Sequence, residues 1–209
     1  LSMPENLHKL FVISSPSGGG KTSLINKVFE DSRSTNFEKS ISDTSRQKRQ
    51  GDLEGKDYYF LSEKDFKEKI KKEEYVEYAT VFGNFYGTSK NEIKTKYNNS
   101  NLVLELDWQG AYAVKKLFDD AKLIFLVPPS LDDLKQRLIK RNLDSSESIE
   151  NRLSEAKKEI SKSEMYDFLV LNDDFDRAFE DLSQILFKGI SSKDFNSRVS
   201  KDLIERLVE

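Results

Sequence analysis

The sequence contains no cysteine, one histidine (His8) and four prolines among its 209 residues. The absence of cysteine excludes a disulfide framework and a cysteine-ligated metal centre, and a single histidine excludes a zinc site built from histidines. No apolar run approaches the roughly 20 residues that span a membrane, so we expect no membrane association. The formal net charge of −3 lacks the basic surplus of a general nucleic-acid-binding protein. These absences leave an α/β chain with a hydrophobic core, expected in the cytoplasm.

Glycine is also scarce, and three of the nine glycines are consecutive, at 18–20. They lie in S-P-S-G-G-G-K-T (15–22), between an apolar run at 10–14 and a segment with helical spacing. A strand, a Gly-rich loop and a helix form the context of a phosphate-binding loop, in which backbone N–H groups converge on a phosphate at a helix N-terminus. Lys21 can reach the terminal phosphates and Thr22 can coordinate Mg²⁺. The alternative is a flexible linker, which a Lys-Thr pair at the helix start disfavours.

A strand-rich segment follows at residues 40–90, unlike the alternation of strands and helices around it. It begins with a basic loop that contains Arg46 and Arg49. Two guanidiniums suit a phosphate dianion, although a solvated basic turn explains them equally well. Gly83 and Asn84 predict a two-residue hairpin. Glu77 lies in the preceding half-buried strand, either as a functional acid or as an ordinary solvent-facing residue.

Further along, the apolar run at 102–107 predicts a central parallel strand, and it carries Glu105 and Asp107 at its end. Ligands bind beyond the carboxyl ends of such strands. Two buried acids are unfavourable without cations or donors nearby, so a functional role is favoured.

The second half of the chain contains a basic run around a polar, loop-like stretch at 142–148. Arg137 and Arg141 precede this stretch and Arg152 follows it, on predicted helices. These arginines form either a solvated surface or a mobile lid that closes over bound nucleotides. A buried strand is predicted at 168–171, ending at Asn172, and the tail at 194–208 has a helical pattern.

Together these stretches resemble the guanylate kinases, from the phosphate loop to Asp174. Beside the loop, the residues that carry the resemblance lie at 44–51 with 55–58, 83–88, 106–110 (L-D-W-Q-G) and 170–174 (V-L-N-D-D). The resemblance implies a P-loop NTPase fold: a parallel five-stranded sheet flanked by helices, a β-rich GMP-binding insert and a helical lid. The implied domains are a core at 1–39, 97–136 and 160–209, an insert at 40–96 and a lid at 137–159.

The implied activity is transfer of the ATP γ-phosphoryl group to GMP, and to dGMP, with Mg²⁺ as cofactor. The implied partners are these nucleotides alone, with a monomer or homodimer as the assembly. Where the family usually has aspartate, this chain has Glu105.

The resemblance also implies a set of site residues. For ATP they are Ser15, Pro16, Ser17, Gly18, Gly19, Gly20, Lys21, Thr22, Ser23, Arg137 and Asn172, with Thr22 as metal ligand. For the GMP phosphate they are Ser42, Arg46, Arg49, Tyr58 and Tyr86, and for guanine Glu77, Thr88 and Asp107. The catalytic residues are Lys21, Arg46, Arg137, Arg141 and Arg152.

Two alternatives to a GMP kinase stay open at this point. One is a kinase of another small phosphate acceptor, because Arg46 and Arg49 specify phosphate rather than a base. Against it, a carboxylate such as Glu77 accepts hydrogen bonds from guanine but meets an acceptor on adenine. The other is a non-catalytic interaction module of the same fold, which the presence of Lys21 and Arg152 disfavours.

Overall fold

Strands and helices alternate along most of the chain. The computed structural model describes residues 8–81, 83–140 and 146–209. Its strands are β1 (Leu10–Ser14), β2 (Phe37–Lys39), β3 (Asp43–Thr44), β4 (Tyr59–Phe60), β5 (Tyr75–Val81), β6 (Asn84–Ser89), β7 (Asn101–Glu105), β8 (Lys122–Val127) and β9 (Phe168–Leu171). Its helices are α1 (Lys21–Glu30), α2 (Glu63–Lys71), α3 (Lys90–Tyr97), α4 (Trp108–Leu117), α5 (Leu131–Lys140), α6 (Ser146–Ile160), α7 (Phe175–Leu186) and α8 (Lys201–Val208).

The central sheet has five strands in the order β2-β7-β1-β8-β9, and all neighbours are parallel. Successive residues of β1 point to opposite faces. Leu10 and Val12 join the buried cluster with α3, α4 and α8, and Phe11 and Ile13 join the cluster with α1 and α7. Both faces are therefore covered by helices, which explains why the strands are apolar runs. The predicted fold class is confirmed.

This topology positions the site. In a parallel sheet all carboxyl ends lie at one edge. The loop after β1, the residues after β7 and Asn172 after β9 therefore meet at the same edge. None of the described helices has the length and apolar character needed to cross a membrane.

A second sheet, in the order β4-β3-β6-β5, lies between α1 and α3 in sequence. Its core is aromatic: the Phe66 ring from α2 stacks on Tyr75 at 4.5 Å and on Phe85 at 5.3 Å between centroids. Gly83, in the predicted hairpin turn, has a φ of 76°, which favours glycine. The domain boundaries that we expect around this sheet remain a prediction.

The C-terminal tail differs from the prediction, because α8 begins at Lys201 rather than near 194. Before it, the Ser197 hydroxyl donates to the Leu169 carbonyl at 2.6 Å and Arg198 donates to the Leu171 carbonyl at 2.9 Å. These contacts hold the chain along β9 in a non-helical path. Ser200 then caps α8 by accepting from the Leu203 N–H.

Candidate active site

The phosphate loop takes its shape from two glycines. Gly18 and Gly20 have φ values of 84° and 87°, in the left-handed region. Gly20 precedes α1 and makes no side-chain capping bond, so the first turn presents backbone N–H groups to a ligand. Glu73 is the one described non-glycine residue with positive φ. Ser15, where glycine is usual in such loops, therefore has an ordinary backbone conformation.

Residues from α5 and β9 support this loop from behind. A Cβ on Gly18 would lie 3.0 Å from Cδ2 of Leu138, so the helix packs directly against the loop. The amide of the buried Asn172 donates to the Gly19 carbonyl at 2.6 Å. Arg137 in turn donates to the Asn172 carbonyl at 3.1 Å. Arg137 and Asn172, which were predicted for the ATP site, thus contact each other, and Asn172 also contacts the loop. Their contact with ATP remains a prediction.

Lys21 lies at the start of α1 with its ammonium inside the site. It donates to the Leu106 carbonyl at 3.3 Å. Burial lowers its pKa, while the nearby carboxylates of Glu105, Glu159 and Asp107 oppose that shift. The lysine therefore sits among acids at the meeting point of β1, β7 and α6.

Thr22 contacts the acid at the end of β7. Its hydroxyl donates to Oε1 of Glu105 at 2.7 Å, and Lys39 donates to Oε2 at 2.9 Å. Although burial raises it, the pKa of Glu105 is lowered by the ammonium groups of Lys21 and Lys39. Glu105 is therefore ionised and accepts a hydrogen bond from the Thr22 hydroxyl. The lone pairs of the Thr22 oxygen stay available for a cation.

A second group of predicted residues lies beside this one. Thr88 on β6 donates to Oε1 of Glu77 on β5 at 2.6 Å. Burial raises the pKa of Glu77, the Thr88 hydrogen bond opposes that shift, and the Asp107 carboxylate adds to it. Asp107 caps α4 by accepting from the Gly110 N–H at 2.8 Å. Gly110 permits the close approach, since a Cβ there would lie 3.0 Å from Cγ of Glu77.

The basic loop holds one of its two arginines firmly. Arg46 forms an ion pair with Asp52 at 2.9 Å, and 11% of its side chain is exposed. Its guanidinium lies over the Tyr58 ring at 5.5 Å, and Tyr58 packs edge-on against Tyr86 at 5.7 Å. Three of the predicted GMP-phosphate residues are therefore in one contact group.

The other two predicted residues of this loop are placed differently. Arg49 is exposed, and its backbone N–H donates to Asp52 at 2.8 Å. Ser42 precedes β3, and its carbonyl accepts from the Tyr59 N–H at 3.0 Å. Asp52 was not predicted, although an acid three residues after Arg49 and next to Gly51 is a turn signal.

The described part of the predicted lid reaches the phosphate loop. Arg152 on α6 donates to the Ser17 hydroxyl at 3.2 Å. Arg141 lies outside the described residues. Helix α6 begins at Ser146, inside the stretch that was predicted as a loop, and Ala156 and Ile160 are buried. The stretch at 142–148, which was predicted as a loop, is therefore helical from Ser146 onward.

Glu159 is a site residue that sequence reasoning missed. It lies seven residues after Arg152, two turns along the same helix face. Its Oε2 is buried and has no hydrogen-bond partner among the described residues. Burial raises its pKa to about 7, Lys21 opposes that shift, and the Asp107 and Glu155 carboxylates add to it. The i, i+7 spacing from Arg152 was the available signal.

Comparison with known proteins agrees with this geometry. The family model described as guanylate kinase matches residues 7–189. The chain belongs to the guanylate kinase family. The guanylate kinase of Wolbachia sp. subsp. Brugia malayi is 45% identical over 186 residues, which is 88% of this chain and 94% of that protein. That of Hahella chejuensis is 46% identical over 178 residues, 85% of each chain.

A solved structure shows the same fold. The crystal structure of guanylate kinase from Anaplasma phagocytophilum superposes with a TM-score of 0.67 at 33% identity, covering 90% of this chain and 88% of that one. The family assignment from sequence is thus confirmed, and the protein is a nucleotide kinase of the P-loop NTPase fold. The individual roles of the guanylate kinase site residues remain predictions.

Proposed function

We propose that this guanylate kinase transfers the γ-phosphoryl group of ATP to GMP, giving ADP and GDP. The main observation in support of the proposal is that residues at the end of β7 lie next to two adjacent groups of predicted site residues. Glu105 contacts Thr22 of the phosphate loop, and Asp107, two residues later, lies near Glu77 of the second sheet. A donor site and an acceptor site therefore meet at one strand end, as in-line transfer between two nucleotides requires.

The donor site has the groups that a triphosphate needs. Backbone N–H groups at the start of α1 and the Lys21 ammonium suit the phosphates. Among the described residues, no group of three or more His, Cys, Asp or Glu side chains could hold a metal. Mg²⁺ in kinases is bound by few protein groups plus phosphates and water, and Thr22 fits as such a group. When bound, Mg²⁺ neutralises charge on the transferring phosphate.

The acceptor site has acids where guanine has donors. Guanine presents N1–H and N2–H on one edge, while adenine presents an acceptor and no amine there. A carboxylate has about four lone-pair sites, so Glu77 can accept from the base as well as from Thr88. Adenine would leave the half-buried Glu77 carboxylate facing another acceptor. We assign the Arg46 guanidinium to the phosphate of the same nucleotide, because arginine offers bidentate donors to phosphate.

The reaction itself needs no covalent intermediate on the enzyme. Positioning and charge neutralisation supply most of the catalysis in phosphoryl transfer. Lys21 brings positive charge from the start of α1, and Arg152 brings it from α6, where it contacts Ser17 of the loop. Because Arg152 lies on α6 in the predicted lid, we infer that lid closure brings its guanidinium to the phosphates and excludes water.

A coupled assay of ADP release tests the proposal with GMP, dGMP, IMP, AMP, CMP and UMP as acceptors. We expect GMP and dGMP to be the best substrates, and IMP, which lacks the 2-amino group, to be weaker. Glu77→Gln should lower kcat/KM for GMP by about 10–100-fold, since a mismatched buried hydrogen bond costs roughly 1–3 kcal/mol. The KM for ATP should stay within about threefold.

Glu68→Gln is the matched control, because Glu68 is an exposed acid on α2 of the same insert. It should leave both substrates unaffected. No ADP release with any acceptor would refute the kinase activity. If Glu77→Gln lowers kcat/KM equally for ATP and for GMP, Glu77 is not the residue that recognises guanine.

A further inference from the structure

Lys39 belongs to the candidate site, although no sequence pattern indicates it. It is the last residue of β2, at the carboxyl edge of the central sheet, and pairs with Val103 of β7. Its ammonium lies 2.9 Å from Oε2 of Glu105, with 38% of the lysine side chain and 21% of the glutamate side chain exposed. The pair therefore lies partly covered, directly beside Thr22.

We propose that Lys39 is a positioning residue for phosphoryl transfer, which holds Glu105 in the orientation that directs the Thr22 oxygen to the nucleotide-bound Mg²⁺. This inference rests on the proposed function. Each oxygen of Glu105 has one donor, Thr22 on Oε1 and Lys39 on Oε2. With both oxygens engaged, the carboxylate plane is fixed and the hydroxyl hydrogen of Thr22 is directed to Glu105, so the Thr22 oxygen would present its lone pairs to a bound cation.

The length of the glutamate makes this second donor important. Glu has one more rotatable bond than Asp, so a single hydrogen bond to Thr22 leaves the carboxylate free to turn. Outer-shell partners that orient the groups around a metal typically change metal affinity or activity by about 10–100-fold when they are removed. By contrast, removing one partner of an ordinary exposed ion pair would change metal affinity and activity very little.

The backbone of Lys39 is held as well. Its carbonyl accepts from the ammonium of Lys96 at 2.8 Å, and the next N–H, of Ser40, donates to the Val103 carbonyl at 3.0 Å. Lys96 also pairs with Glu92 at 2.7 Å. The lysine thus starts from a fixed point where the chain leaves the central sheet for the second sheet. The backbone of Lys39 is therefore fixed, which suits a residue that orients another side chain.

The test measures Mg²⁺ dependence in wild type and in Lys39→Met. We expect the Mg²⁺ concentration for half-maximal activity to rise about tenfold, with a lower kcat and an unchanged KM for GMP. A second readout needs no turnover. Mg²⁺ is titrated into the protein–ADP complex and followed by calorimetry or by the fluorescence of the single tryptophan, Trp108, which follows Asp107. Lys39→Arg keeps the cation and should restore most of the affinity.

Two comparisons separate this role from general effects of charge. Lys188→Met removes the same charge from an ion pair of 3.0 Å with Glu180 on an exposed surface, and should leave Mg²⁺ dependence unchanged. Glu105→Ala removes the group through which Lys39 acts. The double variant should therefore bind Mg²⁺ no more weakly than Glu105→Ala alone. Lys39→Gln repeats the measurement if Lys39→Met does not fold.

Unchanged Mg²⁺ affinity in Lys39→Met and Lys39→Gln would overturn the inference, as would additive losses in the double variant. In either case a wild-type enzyme that converts GMP to GDP would leave the proposed function standing. A wild type that forms no GDP, and whose ADP complex takes up no Mg²⁺, would overturn both.

Discussion

Glu159→Gln should make the protein more stable above neutral pH, although it removes an acid from the site. The pKa of Glu159 is raised from its ordinary 4.5 to about 7, mainly by burial. Between these two values the folded protein holds a proton that the unfolded chain has released. The free energy of unfolding therefore falls as pH rises through this window, and the full loss is present above pH 7.

The size of the effect follows from this difference. Each pH unit between the two values corresponds to about 1.4 kcal/mol, so the upper limit is about 3 kcal/mol. Glu159 is partly exposed, and solvent screening reduces this to about 1–2 kcal/mol. Glutamine stays neutral at every pH and avoids the loss. For a chain of this size the gain at pH 8 corresponds to roughly 3–6 °C in Tm.

Thermal unfolding followed by circular dichroism at pH 5, 6, 7 and 8 measures the effect. Glu159→Gln should be only slightly more stable than the wild type at pH 5, and the difference should grow as the pH rises to 7. Glu150→Gln is the control, because Glu150 is exposed on the same helix and is not among the groups that shift the pKa of Glu159. It should show a small, pH-independent change. If Glu159→Gln is no more stable at pH 8, or gains equally at pH 5, the reasoning from burial is wrong.

Two further predictions concern the cations of the site. Lys21→Ala should lower kcat by about 10²–10³-fold, because the Lys21 ammonium acts mainly on the transferring phosphate. The circular dichroism spectrum should remain native. A kcat within tenfold of wild type would contradict the assignment of the phosphate loop. Arg152→Ala should lower kcat at saturating ATP and GMP by on the order of 10³-fold. The control, Arg206→Ala at an exposed position of α8, should change kcat little. Near-normal kcat in Arg152→Ala would show that Arg152 is an ordinary solvated surface residue.

The phosphate loop and the sheet edge were predictable because their signals are local. Successive glycines before Lys-Thr permit the left-handed backbone conformations that a phosphate-binding turn needs, and the apolar run before them specifies a buried parallel strand. The end of β7 was expected to carry two buried acids, which are unfavourable unless the site uses them. Glu105 is half-buried, but Asp107 is exposed and caps α4, so the expectation of burial is wrong for Asp107. Gly83 and Asn84 indicated the hairpin for an equally local reason.

Lys39 and Glu159 were missed because their role depends on tertiary contacts, whereas the turn signal at Asp52 is local. The Lys39–Glu105 pair joins residues 66 positions apart, and Arg152 reaches Ser17 across 135 positions. With 34 basic and 37 acidic residues in the chain, no local rule selects the pairs that form. The late start of α8 has the same cause, since the contacts of Ser197 and Arg198 with β9 hold the chain before it in a non-helical path.

The contacts of the tail with β9 also bear on how the protein stays dispersed in solution. β9 is an outer strand of the central sheet, and such strands offer unpaired carbonyl and N–H groups to other molecules. Ser197 and Arg198 occupy the outward carbonyls of Leu169 and Leu171, and Arg198 adds ion pairs with Asp173 and Asp181. A charged segment thus lies along the strand where a foreign strand would pair. Substitutions that release it are expected to favour self-association before they affect the nucleotide site.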